Sequence, residues 1–130
     1  MNEGKNFNHS LVEDWVSIWN NYNLSEVRKL FIDDERVTYF SSEKEGVIKG
    51  IEALVNHHRE FGFVPGGKEQ SNKLWLEEID IESYKECAIV TAIWCFRRGG
   101  SDKIQRGPVT LVYFRANGGY KIAHANFSNY

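Results

Sequence analysis

The sequence is short of cysteine, of proline and of long apolar runs, and each shortage removes a class of protein. No stretch reaches the roughly 18 consecutive apolar residues of a membrane-spanning helix. The first ten residues, Met1 to Ser10, are polar and lack the apolar core of a signal peptide. Cys87 and Cys95 fall in one expected strand, roughly 26 Å apart at about 3.3 Å per residue, too far to bridge. A thiol-reduced, cytoplasmic protein is expected. Neither charge dominates: a formal net charge of −2 and a pI near 6.1 speak against nucleic acid as partner, and no membrane partner is expected.

Chemical signatures are missing too. Gly66-Gly67 and Gly99-Gly100 lack the following helix and lysine of a phosphate loop. No spacing supports a Ser-His-Asp or Cys-His arrangement. His57-His58 is the one doublet that invites a metal. Neighbouring residues of a helix point about 100° apart, however, and no third ligand follows at helical spacing. No metal and no cofactor is expected. Repeats, low-complexity tracts and interdomain linkers are absent as well.

What is present is a core. Hydrophobic residues make up 42% of the 130, aromatics 14%, and four are Trp, enough for one domain spanning 1–130 with a flexible start at 1–9. Ser10, with Glu13 three residues on, forms a capping box for a first helix. Its apolar stripe is Leu11, Val12, Trp15, Val16, Ile18, Trp19 and Tyr22. Asn20 to Asn23 ends it, and Ser25 caps a short second helix with Val27, Leu30 and Phe31 inward. Arg36–Phe40 reads as a strand, Ser41–Gly46 as a polar loop. A third helix runs from Gly50 to about Phe61, with Ile51, Leu54, Val55, His58 and Phe61 on its stripe and His57 at the margin. Phe63–Asn72, with Pro65-Gly66-Gly67, is the longest break in pattern and is expected to be the most mobile segment.

The remainder is strand: Lys73–Ser83, Glu86–Arg98, then Gly107–Arg115 and Tyr120–Ser128 joined at Asn117-Gly118-Gly119, residues that accept the positive φ of a tight hairpin. In Glu86–Arg98, Ala88, Val90, Ala92, Trp94 and Phe96 share one face, and Cys87, Ile89, Thr91, Ile93 and Cys95 the other. Two apolar faces imply two covers, one being the core and the other a partner chain. Alternation in the last strand sets Ile122, His124, Asn126 and Ser128 opposite Ala123, Ala125 and Phe127. The order helix, helix, strand, helix, four strands predicts an α+β fold. A curved antiparallel or mixed sheet wrapped on three N-terminal helices leaves a cone-shaped half-barrel with a polar mouth.

Three stretches carry a resemblance over nearly the full chain: Asn23–Val37 (Asn-Leu-Ser-Glu-Val-Arg-Lys-Leu-Phe-Ile-Asp-Asp-Glu-Arg-Val), Gly50-Ile-Glu-Ala-Leu54, and Asn117–Ser128 (Asn-Gly-Gly-Tyr-Lys-Ile-Ala-His-Ala-Asn-Phe-Ser). In their order and spacing the chain resembles the nuclear transport factor 2-like superfamily, and most its SnoaL-like branch. The last strand is also similar to that of the calcium/calmodulin-dependent kinase association domain, with Tyr120 in place of its Trp, His124 and Asn126 in place of its two His, and Ser128 as its Ser. The resemblance implies the cystatin-like cone, commonly dimeric through its sheet. It also implies where chemistry would sit. Ketosteroid isomerase-like members use a carboxylate base, a Tyr and a protonated Asp; here Tyr39 stands at the base position, Trp15 at the Tyr position, and Gly107–Arg115 has no acid. The arginines that line the association-domain cavity are replaced by Trp94.

The expectation is therefore a small-molecule-binding homodimer with an apolar, aromatic-lined pocket. Trp15, Trp19, Tyr39 and Trp94 form its walls, and His58, Thr110, His124 and Asn126 its polar contacts. Two alternatives stand beside it. One is a cofactor-free isomerase, dehydratase or cyclase with His124 or His58 as base. The other is a purely structural dimerisation module using the Cys87–Cys95 face. The bland reading of each histidine is a satisfied core residue, and that of each Trp is ordinary core.

Overall fold

The computed structural model describes residues 6–130; of the start expected to be flexible, 1–5 lie outside that range. Phe7 is anchored, its ring 4.7 Å from Tyr113 and 5.3 Å from Tyr120. The first helix, α1, is His9–Asn21. Asn8 caps it rather than Ser10: its extended backbone lets Oδ1 accept the Ser10 N–H at 2.9 Å, with Ser10 already inside the first turn. Glu13, expected to close a capping box, faces His9 one turn back at 3.3 Å instead. Tyr22, at φ 54°, ends the helix in a left-handed cap.

A 3₁₀ turn, Leu24–Glu26, leads into α2, Val27–Leu30. Asn23 caps this turn through Ser25 N–H, again one polar residue earlier than expected. Then come β1 (Thr38–Phe40), β2 (Ile48–Lys49), α3 (Ile51–Glu60), β3 (Lys73–Ser83), β4 (Cys87–Arg97), β5 (Ile104–Ala116) and β6 (Gly119–Phe127). The stretch 63–72, expected to be mobile, is stitched to the end of α1. Val64 bonds Tyr22 and Leu24 through the backbone at 3.0 and 2.9 Å, and Lys68 N–H donates to Asn21 C=O at 2.8 Å. Gly67 lies so close to Asn21 that a Cβ there would meet its carbonyl oxygen at 2.7 Å.

The sheet is six-stranded and mixed, in the order β2-β1-β6-β5-β4-β3, with β1 parallel to β6 and the other pairs antiparallel. It is not closed. The three helices cover one face, giving the α+β cone-shaped half-barrel. Asn117 and Gly118, at φ 51° and 81°, make the two-residue hairpin turn the sequence called for. Inside, Val12, Trp15, Ile18 and Trp19 of α1 meet Val90, Leu111, Tyr113 and Ile122 of the sheet, all buried. Each such aliphatic or aromatic side chain contributes about 1.5–3 kcal/mol by leaving water.

One irregularity changes the faces of β6. Val112 pairs with His124 but Tyr113 pairs with Ile122, so Ala123 is an unpaired bulge residue. Strict alternation breaks there. Ile122 faces the helices, His124 and Asn126 face outward, and Ala125 and Phe127 face inward. Among the described residues, no helix is long and apolar enough to cross a membrane.

Candidate functional site

The interior end of the cone is built by five elements, each delivering aromatic or imidazole rings. From α1 come Trp15 and Trp19, on the stripe where residues four apart stack. From α3 come His57 and His58, both buried. Gly50 lets α3 start sharply: at φ 89° it leaves the preceding strand in a backbone conformation other residues rarely adopt. β1 adds Tyr39 and β4 adds Trp94. Phe127 of β6 is the hub, with ring centroids 5.5 Å from Trp15, 6.2 Å from Trp19, 5.9 Å from Tyr39 and 5.7 Å from Trp94.

Polar groups sit inside this cage without company. His58 Nδ1–H donates to the Leu54 carbonyl at 2.8 Å; a carbonyl only accepts, so the proton of the neutral ring is on Nδ1. Its Nε2 then carries a bare lone pair, buried and without a partner. Burial pushes the His58 pKa down to about 4, against a smaller opposing pull from the Leu54 carbonyl. His57 is also held below its ordinary value, by burial first and by the Lys44 charge second. Its Nε2 and the indole N–H groups of Trp15 and Trp19 are likewise buried and unpartnered. Each such group costs about 1–3 kcal/mol relative to a satisfied one. Trp94 differs, since its Nε1–H donates to the Ser128 carbonyl at 2.9 Å. Tyr39 is buried, which raises its hydroxyl pKa.

Between the cage and solvent lies a half-open cavity of about 30 Å³. Trp19, Tyr39, His57, Phe61, Leu74, Trp94, Phe96 and Phe127 line its inner wall, with Ser41, Ser42, Glu43, Arg98 and Gln105 at the mouth. That volume admits one or two waters, far below the roughly 300 Å³ of a drug-sized pocket. The spacious hollow expected from the sequence is thus mostly filled by its own rings. Among the described residues no group of three or more His, Cys, Asp or Glu is placed to hold a metal. The His57 and His58 rings diverge at 84°.

The eight contact residues named from the sequence divide into two groups. Trp15, Trp19, Tyr39, His58 and Trp94 come together inside the cone. Thr110, His124 and Asn126 lie on the outer face of the sheet: Thr110 by plain alternation between buried Val109 and Leu111 on β5, His124 and Asn126 because the Ala123 bulge turns the β6 row over. There Thr38 Oγ1 and His124 Nδ1 share a hydrogen bond of 2.8 Å, and Asn126 pairs across the strands with Thr110. Residue-by-residue reading missed Phe127 and His57. Phe127 was visible as the apolar partner of Ala125 in the alternation. His57 shows no sequence signal beyond its place at the margin of the α3 stripe.

No family model matches the chain, and no curated protein matches it in sequence. Solved structures do match. An NTF2-like protein of unknown function from Pseudomonas putida KT2440 superposes with a TM-score of 0.79 at 17% identity, over 92% of this chain and 81% of that one. The CaMKII hub of S. rosetta gives 0.72 at 18%, over 93% and 92%. An uncharacterised Caulobacter vibrioides protein with a cystatin-like fold gives 0.71 at 13%, over 93% and 85%. The architecture is thus the α+β cone of the cystatin-like class. Within that class, the chain has the nuclear transport factor 2-like fold.

Proposed function

We propose that the protein binds a small, neutral, mostly apolar molecule that inserts one hydrogen-bonding head group into the cone and lays its apolar body across the mouth. The observation that carries this reading is the set of four buried, unpartnered nitrogens on Trp15, Trp19, His57 and His58. Buried polar atoms left unpaired are rare in folded proteins, and four in one cage call for a group brought from outside. Of these four residues Trp19 and His57 line the cavity, so a hydroxyl there meets walls that hold Trp19 Nε1–H and His57 Nε2. The cavity of about 30 Å³ takes a head of that size. The rings of Phe61, Phe96 and Trp94 suit an apolar body, and the mouth residues Glu43 and Arg98 stay in water.

The test compares 2-naphthol with naphthalene by titration calorimetry and Trp fluorescence. Binding of 2-naphthol at least about tenfold tighter than naphthalene is expected, since a buried site left unpaired discriminates against the analogue lacking the hydroxyl. Equal affinities, or no binding of either, would remove the reading. A cofactor-free enzyme with His58 as base is less well supported: a group pushed to about 4 is a weak base at neutral pH, and no carboxylate among the described residues hydrogen-bonds it.

A second reading has its own observation. The outer sheet face sets half-buried Ile89, Ile93 and Val112 between Phe40 (39% exposed) and Phe114 (49% exposed), with charged residues at its margins. An apolar centre with a polar rim is the anatomy of a subunit interface. One protein of the same fold is described as a hub. Homodimerisation through this face is the corresponding proposal. Light scattering should give a dimer mass that Val112→Lys lowers to the monomer; a concentration-independent monomer for the unmodified chain rules it out.

A further inference from the structure

One end of the sheet is β3, which pairs with β4 on one side and, among the described residues, with no strand on the other. An open edge offers a row of unpaired backbone groups to any chain that can lie alongside. The beginning of this edge is closed by one side chain. Asn20 Oδ1 accepts the Leu74 N–H at 2.9 Å and its Nδ2 donates to the Leu74 carbonyl at 3.0 Å, so the amide mimics an adjacent strand residue. Beyond Asn20 this cover stops. Outward and inward backbone groups alternate along a regular antiparallel strand, so Leu76, two residues after Leu74, also turns its N–H and C=O away from β4; a bulge at Glu78, φ 54°, then shifts the register between Glu77 and Asp80. No protein group among the described residues hydrogen-bonds them. Beside Leu76 runs an open groove of about 510 Å³ between α1 and β3, floored by Val12, Val16, Leu76 and Ile79.

The charge along this edge is mostly acidic. Glu13, Glu78, Asp80 and Glu82 are all exposed, and Lys73 is the only cation on β3. Glu77 is already paired with Arg106, and His9 with Glu13. Side chains along β3 sort by face: Leu76 points to the helices, while Trp75, Asp80 and Glu82 point to the outer side.

We propose that this groove is a docking site for an extended, cationic segment of another protein, which adds as a seventh strand on β3. Main-chain bonds to Leu76 give the affinity common to strand addition, and alternate side chains give the specificity. Apolar residues of the segment fill the floor against Val12, Val16 and Ile79. The residues between them are Lys or Arg, over Trp75 and beside Asp80 and Glu82. Asn20 sets the end of the added strand. A second copy of this chain is a poorer match, because its β3 edge carries the same acidic excess, Glu78, Asp80 and Glu82 against Lys73.

The probe is a fluorescein-labelled decapeptide of alternating Val and Lys, with a Val/Glu peptide as its counterpart, titrated by anisotropy against the full chain. The Val/Lys peptide is expected to bind at least about tenfold tighter than the Val/Glu peptide and to weaken as salt is raised. Glu78→Lys combined with Asp80→Lys should cost about tenfold or more, while Glu45→Lys in the exposed loop between β1 and β2 changes nothing. Hydrogen exchange of the Leu76 amide should slow on binding, because a free edge N–H becomes a paired one. Absence of binding at millimolar protein overturns the proposal. So does binding that ignores the charge reversal, or a Leu76 amide that exchanges as before in the complex.

Discussion

On the outer face of the sheet, Thr38 bonds His124, Ser128 Oγ–H donates to Asn126 at 3.0 Å, and Arg106 pairs with Glu77. On the helices packed against the inner face of the sheet, Trp15, Trp19, His57 and His58 hold nitrogens that make no hydrogen bond. The outer groups have cross-strand neighbours about 5 Å away and water beyond, so pairing is cheap to arrange. The inner groups are fenced by rings, and none of their donors and acceptors reaches another in hydrogen-bonding geometry. The contrast says that polarity alone does not mark a binding site. Polarity that the fold itself fails to satisfy is the better marker, and the proposed site in the cone interior has it while the His124 row does not.

Removing a wall of the inner cage should show the largest effect. Trp15 is fully buried, and Trp15→Ala is expected to cost about 3–5 kcal/mol in denaturant unfolding. A loss under about 1 kcal/mol would mean the cage is not part of the packed core. Acid comes next. Folded His58 takes its proton only near pH 4, whereas the unfolded residue does so near 6.5. Between those values the unfolded chain binds more protons, so stability is full above about 6.5 and falls as pH drops toward 4, by on the order of 3 kcal/mol. The lowered His57 adds a loss of the same sign. His58→Leu should remove most of that slope between pH 6.5 and 5, before carboxylates titrate. An unchanged slope would place the buried titration elsewhere.

The third test concerns the interior indole that does have a partner. A Cβ at Gly107 would come within 1.8 Å of the Ser128 carbonyl oxygen and 2.9 Å of Trp94 Nε1. Gly107→Ala should therefore break the Trp94–Ser128 bond and cost about 1–3 kcal/mol, seen as a lowered midpoint and a shifted Trp emission. It would turn Trp94 into a fifth unpartnered group.

The inner face was largely legible in the sequence, and the outer face was misread, for one reason. Helical stripes are redundant: Trp15, Trp19, Leu54 and His58 each repeat a period that several neighbours share, so no single irregularity moves them. A strand's facing depends on a count of two, and a single unpaired residue inverts everything beyond it. Ala123 is that residue, and nothing in Lys-Ile-Ala-His-Ala announces it. The bulge is set by pairing with β5, where Tyr113 takes Ile122 as partner and Val112 takes His124, a tertiary choice that buries Tyr113 and Ile122 together. Cap positions failed more mildly, because Asn8 and Ser10 are both capable caps and only the chain's path chooses between them. The filled cone was invisible for a similar reason: ring inventories do not say how rings pack.

The smallest expected effect separates the faces most cleanly. Thr38→Val deletes the hydroxyl that bonds His124 while keeping size and β-branching. If the outer face settles its polar groups locally, His124 can turn to water once the hydroxyl is gone, since it is only half-buried. The loss should then be about 0.5–1 kcal/mol, the net worth of one accessible hydrogen bond, and 2-naphthol affinity should not move. A fall in naphthol affinity with unchanged stability would be incompatible with the facing described above. It would mean that Thr38 and His124 reach the bound molecule, and the row on β6 would have to be counted with the cone after all.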